Sequence, residues 1–157
     1  MTTDAAFEIR RANVQDLPAV MTIMGESFEP KFGDAWSSWQ CESMLRLSGS
    51  WLLLANVGEH PAAFSLIRSV AGEAELLLIA TRPLFQRRAI GKALIEHILS
   101  DCLETQISLV YLEVRADNPA LSFYKNAGFE QIGTRPNYYR GALGRQTDAI
   151  TLRKLID

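Results

Sequence analysis

The sequence has few of the features that mark disulfide-bonded, metal-binding, secreted or membrane proteins. Its two cysteines, Cys41 and Cys102, form no C-x-x-C pair, so neither a metal site nor a disulfide framework is indicated. The longest apolar run, W-L-L-L-A-N-V at 51–57, is strand-sized and too short for a membrane span. The first ten residues lack the basic start and apolar core of a signal peptide. We therefore expect a cytoplasmic protein in a reducing compartment, without a metal or a membrane partner.

An excess of charge of one sign is also lacking. Sixteen basic and eighteen acidic residues give a net charge of −2, which does not favour a nucleic-acid partner. The 157 residues are 48% hydrophobic, which predicts one domain spanning 1–157 with a core of its own. The sequence shows no coiled-coil heptads and leaves open whether the protein is a monomer or a homodimer.

Apolar and alternating runs predict seven strands. They lie at 7–11, 51–57, 62–69, 74–81, 108–115, 129–135 and 147–155. A turn at 58–61 makes a hairpin of the second and third strands, and a polar loop at 137–145 separates the last two.

Helical spacing of apolar residues predicts four helices between these strands. The residues expected at their starts are Asp16, then Ser37 or Ser38, then about Arg88, then Asn118. Those expected at or beyond their ends are Pro30 with Gly33 and Asp34, Leu47 with Gly49, Cys102, and Gly128. The order β-α-α-β-β-β-α-β-α-β-β puts antiparallel strands before a strand-helix-strand crossover. We therefore predict an α/β protein with a mixed, mostly antiparallel central sheet flanked by helices.

The segment Q-R-R-A-I-G-K-A at 86–93 opens the third predicted helix. A helix N-terminus carries unpaired N–H groups and partial positive charge, and Arg87, Arg88 and Lys92 add cations suited to a pyrophosphate. The alternative, that these side chains are solvated cations on a surface helix, has equal weight on the loop alone. The segment is neither a Walker loop nor a dinucleotide fingerprint.

This segment and the C-terminal third together resemble a known family. Gln86 and Gly91 match the ends of the motif Q/R-x-x-G-x-G/A of the GCN5-related N-acetyltransferase (GNAT) superfamily, and Ala89 departs from its first glycine. L-E-V-R-A-D-N-P-A-L-S-F-Y-K-N-A-G-F-E-Q-I-G-T-R-P-N-Y-Y-R at 112–140, followed by D-A-I-T-L at 148–152, is similar to the ribosomal protein alanine N-acetyltransferases. Those enzymes acetylate the N-terminal alanine of a small-subunit ribosomal protein, so the resemblance implies a protein N-terminus as acceptor.

The resemblance implies an acyl-coenzyme A N-acyltransferase fold and acetyl-coenzyme A as the donor, with no metal. The donor's pyrophosphate would lie on the loop formed by Arg87, Arg88, Ala89, Ile90, Gly91 and Lys92. Its pantetheine would lie along the strand residues Ile79, Ala80 and Thr81, and Asn118 would also contact the cofactor. From the residues alone, the strand would pair ordinarily and Asn118 would only cap a helix.

Two side chains match the catalytic groups of that family. Alternation in V-Y-L-E-V-R puts Glu113 opposite Val110, Leu112 and Val114, and a strand glutamate is ordinarily exposed or paired with arginine. By resemblance Glu113 is the general base that takes a proton from the amine. By composition Tyr124 would be a core tyrosine, and by resemblance it is the general acid that protonates the thiolate.

Ala89 carries an expectation of its own. A right-handed backbone there would cost little, whereas a left-handed one would store strain of about 1–2 kcal/mol. In either case we expect the loop to bind coenzyme A through its amides and cations.

The acceptor side is less specified. Tyr138 and Tyr139 match the family's N-Y-Y and are substrate candidates, with a hairpin clasp as the equal alternative. Further candidates for an acceptor wall or for attracting a basic peptide are Trp36, Trp39, Glu26, Glu29, Asp34 and Glu42. Arg82 stands where that family often has an acidic residue. A small-amine acetyltransferase and a non-catalytic acyl-coenzyme A-binding module remain the alternative functions.

Overall fold

The computed structural model describes residues 6–28, 35–140 and 144–157. Seven strands form one sheet in the order β1-β2-β3-β4-β5-β7-β6, and its pairs are antiparallel except for β4 with β5. The strands are β1 (Phe7–Ala12), β2 (Ser50–Val57), β3 (His60–Val70), β4 (Glu73–Thr81), β5 (Leu109–Arg115), β6 (Glu130–Arg140) and β7 (Gln146–Leu155). The helices are α1 (Leu17–Ser27), α2 (Ser38–Leu45), α3 (Ile90–Glu104) and α4 (Leu121–Asn126). The predicted mixed sheet and its order of elements are thus confirmed.

Two hydrophobic clusters lie on opposite faces of this sheet. On one face α3 buries Leu94 and Ile98 against the sheet. On the other, α1 buries Val20 and Ile23 against residues such as Phe64 of β3. The alternation of a strand explains the division, because successive side chains point to opposite faces. Val110, Leu112 and Val114 of β5 join the α3 face, which leaves Tyr111 and Glu113 on the face of α1 and α2.

The helix starts differ from the predictions in their details. Ser37 caps α2 as expected, since its hydroxyl accepts from the N–H of Gln40 at 3.1 Å and the Gln40 amide accepts from the N–H of Ser37 at 2.7 Å. Asp16 precedes α1 but does not cap it. Its carboxylate pairs with Arg10 at 2.7 Å and accepts from the N–H of Asn13, and the Arg10 hydrogen bond lowers the pKa of Asp16.

The predicted ends of three helices were also wrong by a few residues. α2 ends at Leu45, and α3 begins at Ile90 because Ala89 is left-handed, then runs past Cys102 to Glu104. Asn118 lies before α4 and does not cap it, since Ala120 holds that position. The expected helix-ending residues Pro30, Gly33 and Asp34 lie outside the described residues.

The polar loop predicted at 137–145 is partly a strand, because β6 continues through Asn137–Arg140; Gly141–Leu143 lie outside the described residues. No described helix combines the length and the apolar character needed to cross a bilayer.

Candidate active-site cleft

The central feature of the site is a gap between β4 and β5. Only Glu73–Glu75 pair with Leu109–Tyr111, and beyond these residues the two strands part. The register of β4 against β3 skips one residue at Leu77, and such a bulge bends a strand. The separation opens a cleft of about 740 Å³ lined by Leu76–Thr81 from one strand and Leu112–Arg115 from the other. Backbone groups of β4 that would otherwise pair with β5 therefore face the cleft.

Other elements close the cleft around its ends. The remaining lining residues are Ser27, Phe28, Ala35, Trp36, Gln40, Gln86, Asp117, Asn118, Pro119, Ala120, Tyr124, Tyr139 and Arg140. Both candidate catalytic residues, Glu113 and Tyr124, are thus in one cleft with the strand candidates Ile79, Ala80 and Thr81. The loop candidates 87–92 are not among the lining residues and flank the cleft next to Gln86.

The Glu113 carboxylate lies on the face of the sheet that carries α1 and α2, with a 20% exposed side chain. Its Oε2 is 3.4 Å from Nε of Arg135 and accepts a hydrogen bond from the hydroxyl of Thr151 at 3.5 Å. No described residue forms a hydrogen bond or ion pair with Oε1. The arginine pairing expected of a strand glutamate is thus present, on one of the two carboxylate oxygens.

A second carboxyl group, that of Glu75, lies near Glu113. Burial of its side chain and then the charge of Glu113 raise the pKa of Glu75, whereas a hydrogen bond from the Tyr111 hydroxyl lowers it. The raised pKa means that the folded protein holds this proton to a higher pH than the unfolded chain does. Stability from the protonated form is complete below the unfolded value of 4.5 and is lost as pH rises through the folded pKa.

Replacing Glu75 with glutamine is therefore expected to raise the melting temperature at pH 7 and to change it little at pH 4. The exposed Glu73 of the same strand supplies the control, because Glu73→Gln removes a carboxyl group that is not buried. Calorimetry of both variants at the two pH values tests this. Lower stability of Glu75→Gln at pH 7 would show that the carboxylate stabilises the fold.

Tyr124 lies on α4 and is 6% exposed. Its ring meets those of Phe123 and Phe129 edge-on, at 5.3 and 6.0 Å between centroids. The hydroxyl has no hydrogen-bond partner among the residues that the structure describes. Burial raises the pKa of Tyr124 to about 12, so the hydroxyl stays protonated at neutral pH. The core tyrosine expected from composition is thus also a protonated donor at the cleft.

The loop before α3 contains two left-handed residues. Arg87 has φ of 65° and Ala89 has φ of 61°, a region that residues with a Cβ rarely occupy. Ala89 is thus the strained alternative of the two that we expected. Arg87 and Lys92 are exposed, and the Arg88 guanidinium lies 5.5 Å from the centre of the Phe85 ring.

Replacing Ala89 with glycine is expected to stabilise the protein by about 0.5–1 kcal/mol, because relief of the strain exceeds the entropy that glycine adds to the unfolded chain. Ala93→Gly, inside α3, is the matched control and should cost about 1 kcal/mol. Urea unfolding of the two variants compares them directly. Destabilisation of similar size in both would show that the left-handed backbone at Ala89 stores little strain.

Gly91 and Asn118 connect the loop and α4 to the cleft. A Cβ on Gly91 would lie 3.4 Å from the Phe123 ring and 3.9 Å from the Thr81 hydroxyl, within van der Waals contact of both. Asn118 lines the cleft, and its side-chain oxygen accepts from the N–H of Ala120 at 2.8 Å. The Gln86 amide donates to the Thr81 carbonyl at 3.2 Å, which ties the loop to the end of β4.

The end of β6 carries the tyrosine pair. Between Arg135 and Tyr139, β6 has two more residues than the stretch of β7 that pairs with it. Within this bulge, Asn137 has φ of 55°. The Asp148 carboxylate accepts from the N–H of Asn137 at 2.9 Å and holds this bulge. Tyr139 lines the cleft and Tyr138 does not, being 52% exposed. The two rings meet edge-on, with 5.2 Å between their centroids.

The remaining acceptor candidates also differ in whether they line the cleft. Trp36 lines the cleft, whereas Trp39 is 74% exposed and forms no part of the core or the wall. Glu26 pairs with Arg82 at 2.7 Å and Glu42 pairs with Arg46 at 2.7 Å. Two further candidates, Glu29 and Asp34, lie outside the described residues.

Three residues of the site were missed by the sequence reasoning. Arg115 is 6% exposed, bonds to Asp117 at 3.1 Å and lies 5.6 Å from the centre of the Tyr139 ring. Arg135 and Asp148 make the contacts given above. Their only signal was a place in or next to the segments that carry the resemblance. Across the residues described, no group of three or more histidine, cysteine or acidic side chains is arranged to hold a metal.

Known proteins share this fold and parts of this sequence. The acetyltransferase (GNAT) family profile matches residues 17–129. The [ribosomal protein bS18]-alanine N-acetyltransferase of Escherichia coli K12 is 39% identical over 92 residues, 58% of this chain and 62% of that protein. The match therefore spans less than two thirds of that relative. The N-alpha-acetyltransferase RimI of Mycobacterium tuberculosis is 39% identical over 83 residues, 52% of this chain and 49% of its own.

A solved structure extends the likeness over nearly the whole chain. The crystal structure of the ribosomal-protein-S18-alanine N-acetyltransferase from Escherichia coli superposes with a TM-score of 0.86 at 30% identity, covering 97% of this chain and 95% of that one. Ard1 from Thermoplasma volcanium superposes with a TM-score of 0.82 at 26% identity, covering 97% and 99%.

Proposed function

Because the chain belongs to the GNAT family of acetyltransferases, we propose that it transfers an acetyl group from acetyl-coenzyme A to the N-terminal amine of a protein, most specifically an N-terminal alanine of a ribosomal protein. The observation that carries the proposal is the presence of Glu113 and Tyr124 in one cleft between the separated strands. Such an acceptor would place the enzyme in the cytoplasm.

The donor side rests on backbone geometry. The pantetheine of the donor would lie along Ile79, Ala80 and Thr81, where β4 faces the cleft without a partner strand. The pyrophosphate would lie at the N-terminus of α3, where the first amides of a helix are unpaired. The charges of Arg87, Arg88 and Lys92 would favour it there. Gly91 lies in the first turn of that helix, close to Thr81 and Phe123.

When bound, acetyl-coenzyme A supplies an acetyl group activated as a thioester. Glu113 takes one proton from the acceptor's ammonium group, which frees the nitrogen lone pair to form the C–N bond. Tyr124 donates its hydroxyl proton to the thiolate that leaves as the C–S bond breaks, and regains a proton from the acetylated nitrogen. An α-ammonium has a pKa of about 7.7–8.0, against about 10.4 for lysine, so one carboxylate suffices as base near neutral pH.

The proposal is tested by thiol release from acetyl-coenzyme A in the presence of a basic peptide that begins with alanine. The same peptide with an acetylated N-terminus is the control. We expect release to rise with the free peptide and to stay at the background rate with the blocked one. Release stimulated only by polyamines or other small amines would assign a small-molecule acceptor. Donor binding without release for any amine would assign a binding module.

Coenzyme A binding itself is measured by isothermal titration of the wild type and of Ala89→Gly. Binding by both variants supports the loop assignment, and binding by neither overturns it.

A further inference from the structure

An arginine from a distant strand reaches the carboxylate of Glu113. Arg135 lies on β6, the edge strand, and its side chain crosses β7 to Glu113 on β5. Nε of Arg135 is 3.4 Å from Oε2 of Glu113, the same oxygen that accepts from Thr151. The arginine side chain is 63% exposed, whereas that of Glu113 is 20% exposed. Arg135 therefore approaches the carboxylate from the solvent side, which is the side that an acceptor would use.

The same guanidinium has a second partner close at hand. Its central carbon lies 5.3 Å from the centre of the Tyr138 ring, a distance at which cation–π attraction operates. Tyr138 is exposed and does not line the cleft. Arg135 can thus leave the carboxylate and keep a favourable contact on the outer side of the hairpin.

A base that deprotonates an ammonium group also attracts other cations. An exposed ion pair contributes only about 0.2–1 kcal/mol, so a substrate ammonium competes with it at modest cost. We propose that Arg135 is the resident counter-ion of Glu113 and that the ammonium group of the acceptor displaces it onto Tyr138. The displacement rests on the proposed N-terminal acetyltransferase function, whereas the counter-ion role does not.

Several other charged or titratable groups lie around Glu113. They include Glu75 of β4 and its partner Arg68 of β3, Tyr111 and Arg115 of β5, Arg153 of β7, and the cleft-lining Arg140 of β6. Arg115 is bonded to Asp117, and the α1 and α2 side of the cleft contributes the uncharged Phe28, Trp36 and Gln40. Arg135 is the cation on this face that the structure pairs with Glu113.

Two substitutions separate charge from packing. Arg135→Met keeps the apolar stem and removes the charge, and Arg135→Lys keeps a cation near Tyr138. Arg46→Met is the matched control, because Arg46 is an exposed arginine in a 2.7 Å pair with Glu42 on α2. The Nε–H group of Arg135 is followed by nitrogen NMR in the wild type and in Glu113→Gln, without donor or acceptor. The KM for the alanine-starting peptide is measured separately in the arginine variants.

In Glu113→Gln we expect the Arg135 Nε–H signal to move toward that of a solvated arginine, and in Arg135→Met we expect the KM to fall about two- to fivefold. Arg135→Lys and Arg46→Met should match the wild type in KM. An unmoved Arg135 signal in Glu113→Gln overturns the counter-ion role. A raised KM overturns the displacement and makes Arg135 an acceptor-binding residue. A wild type that releases no thiol with any amine overturns the proposed function instead, and the Arg135 NMR signal still decides the counter-ion role.

Discussion

Replacing Glu113 with glutamine is expected to lower kcat by about 10²- to 10⁴-fold, the contribution typical of a positioned general base. The amide keeps the size and planarity of the carboxylate but cannot take the amine proton. Among the described residues, Glu113 makes polar contacts with the side chains of Arg135 and Thr151, and the amide oxygen of glutamine can accept from both. The fold and the affinity for acetyl-coenzyme A should therefore stay close to those of the wild type. Steady-state kinetics with the alanine-starting peptide, together with donor titration, measures both quantities.

The outcome depends on pH if Glu113 is the base. The decrease in kcat should be largest near neutral pH and smaller at alkaline pH, where a larger fraction of the acceptor amine is already neutral. Glu96→Gln, an exposed change on α3, should leave kcat unaltered. A variant Glu113→Gln with a near-normal rate over the whole pH range would remove Glu113 from this role.

Replacing Tyr124 with phenylalanine is expected to slow turnover by about 10²-fold or more while leaving donor affinity largely intact. The ring and its edge-on contacts with Phe123 and Phe129 are retained, so only the buried hydroxyl is lost. Because burial raises the pKa of Tyr124 to about 12, the hydroxyl is a proton donor throughout the physiological range. Thiol release measured at saturating donor and acceptor isolates this step.

The variant Phe129→Leu distinguishes the packing role of Tyr124 from the role of its hydroxyl. It removes a ring contact of Tyr124 but keeps the hydroxyl, so it should lower stability by about 1 kcal/mol or more with a smaller change in kcat. If Tyr124→Phe instead loses stability, donor affinity and rate together, Tyr124 is a packing residue.

The elements of the fold could be predicted from the sequence because they are set by local periodicity. The alternation in V-Y-L-E-V-R fixed which face of β5 carries Glu113, and the structure has it there. The cleft itself could not be predicted. It begins where the pairing of β4 with β5 stops, and nothing in the local pattern of either strand marks that point. The bulge in β4 falls at Leu77, and a run of three leucines gives no sign of which one is bulged.

Long-range side-chain contacts account for the rest of what was missed. Arg135 and Glu113 are on strands separated by β7, and their pairing requires the final strand order β5-β7-β6. Asn118 and Asp16 were expected to cap helices, yet each has a hydrogen-bond partner just before the helix that competes for its side chain. Such competition is decided by backbone geometry of two or three residues, and residue type alone does not specify it.

The short pairing of β4 with β5 makes the sheet two plates joined along three residue pairs. One plate is β1–β4 and the other is β5, β7 and β6, and beyond Glu75 they share no ladder. A ligand that inserts an extended, hydrogen-bonding chain into this opening completes the sheet as a missing strand would. A ligand in the opening therefore joins the two plates. We expect the backbone amides of β4 to exchange their hydrogens with solvent more slowly in the liganded protein than in the empty one.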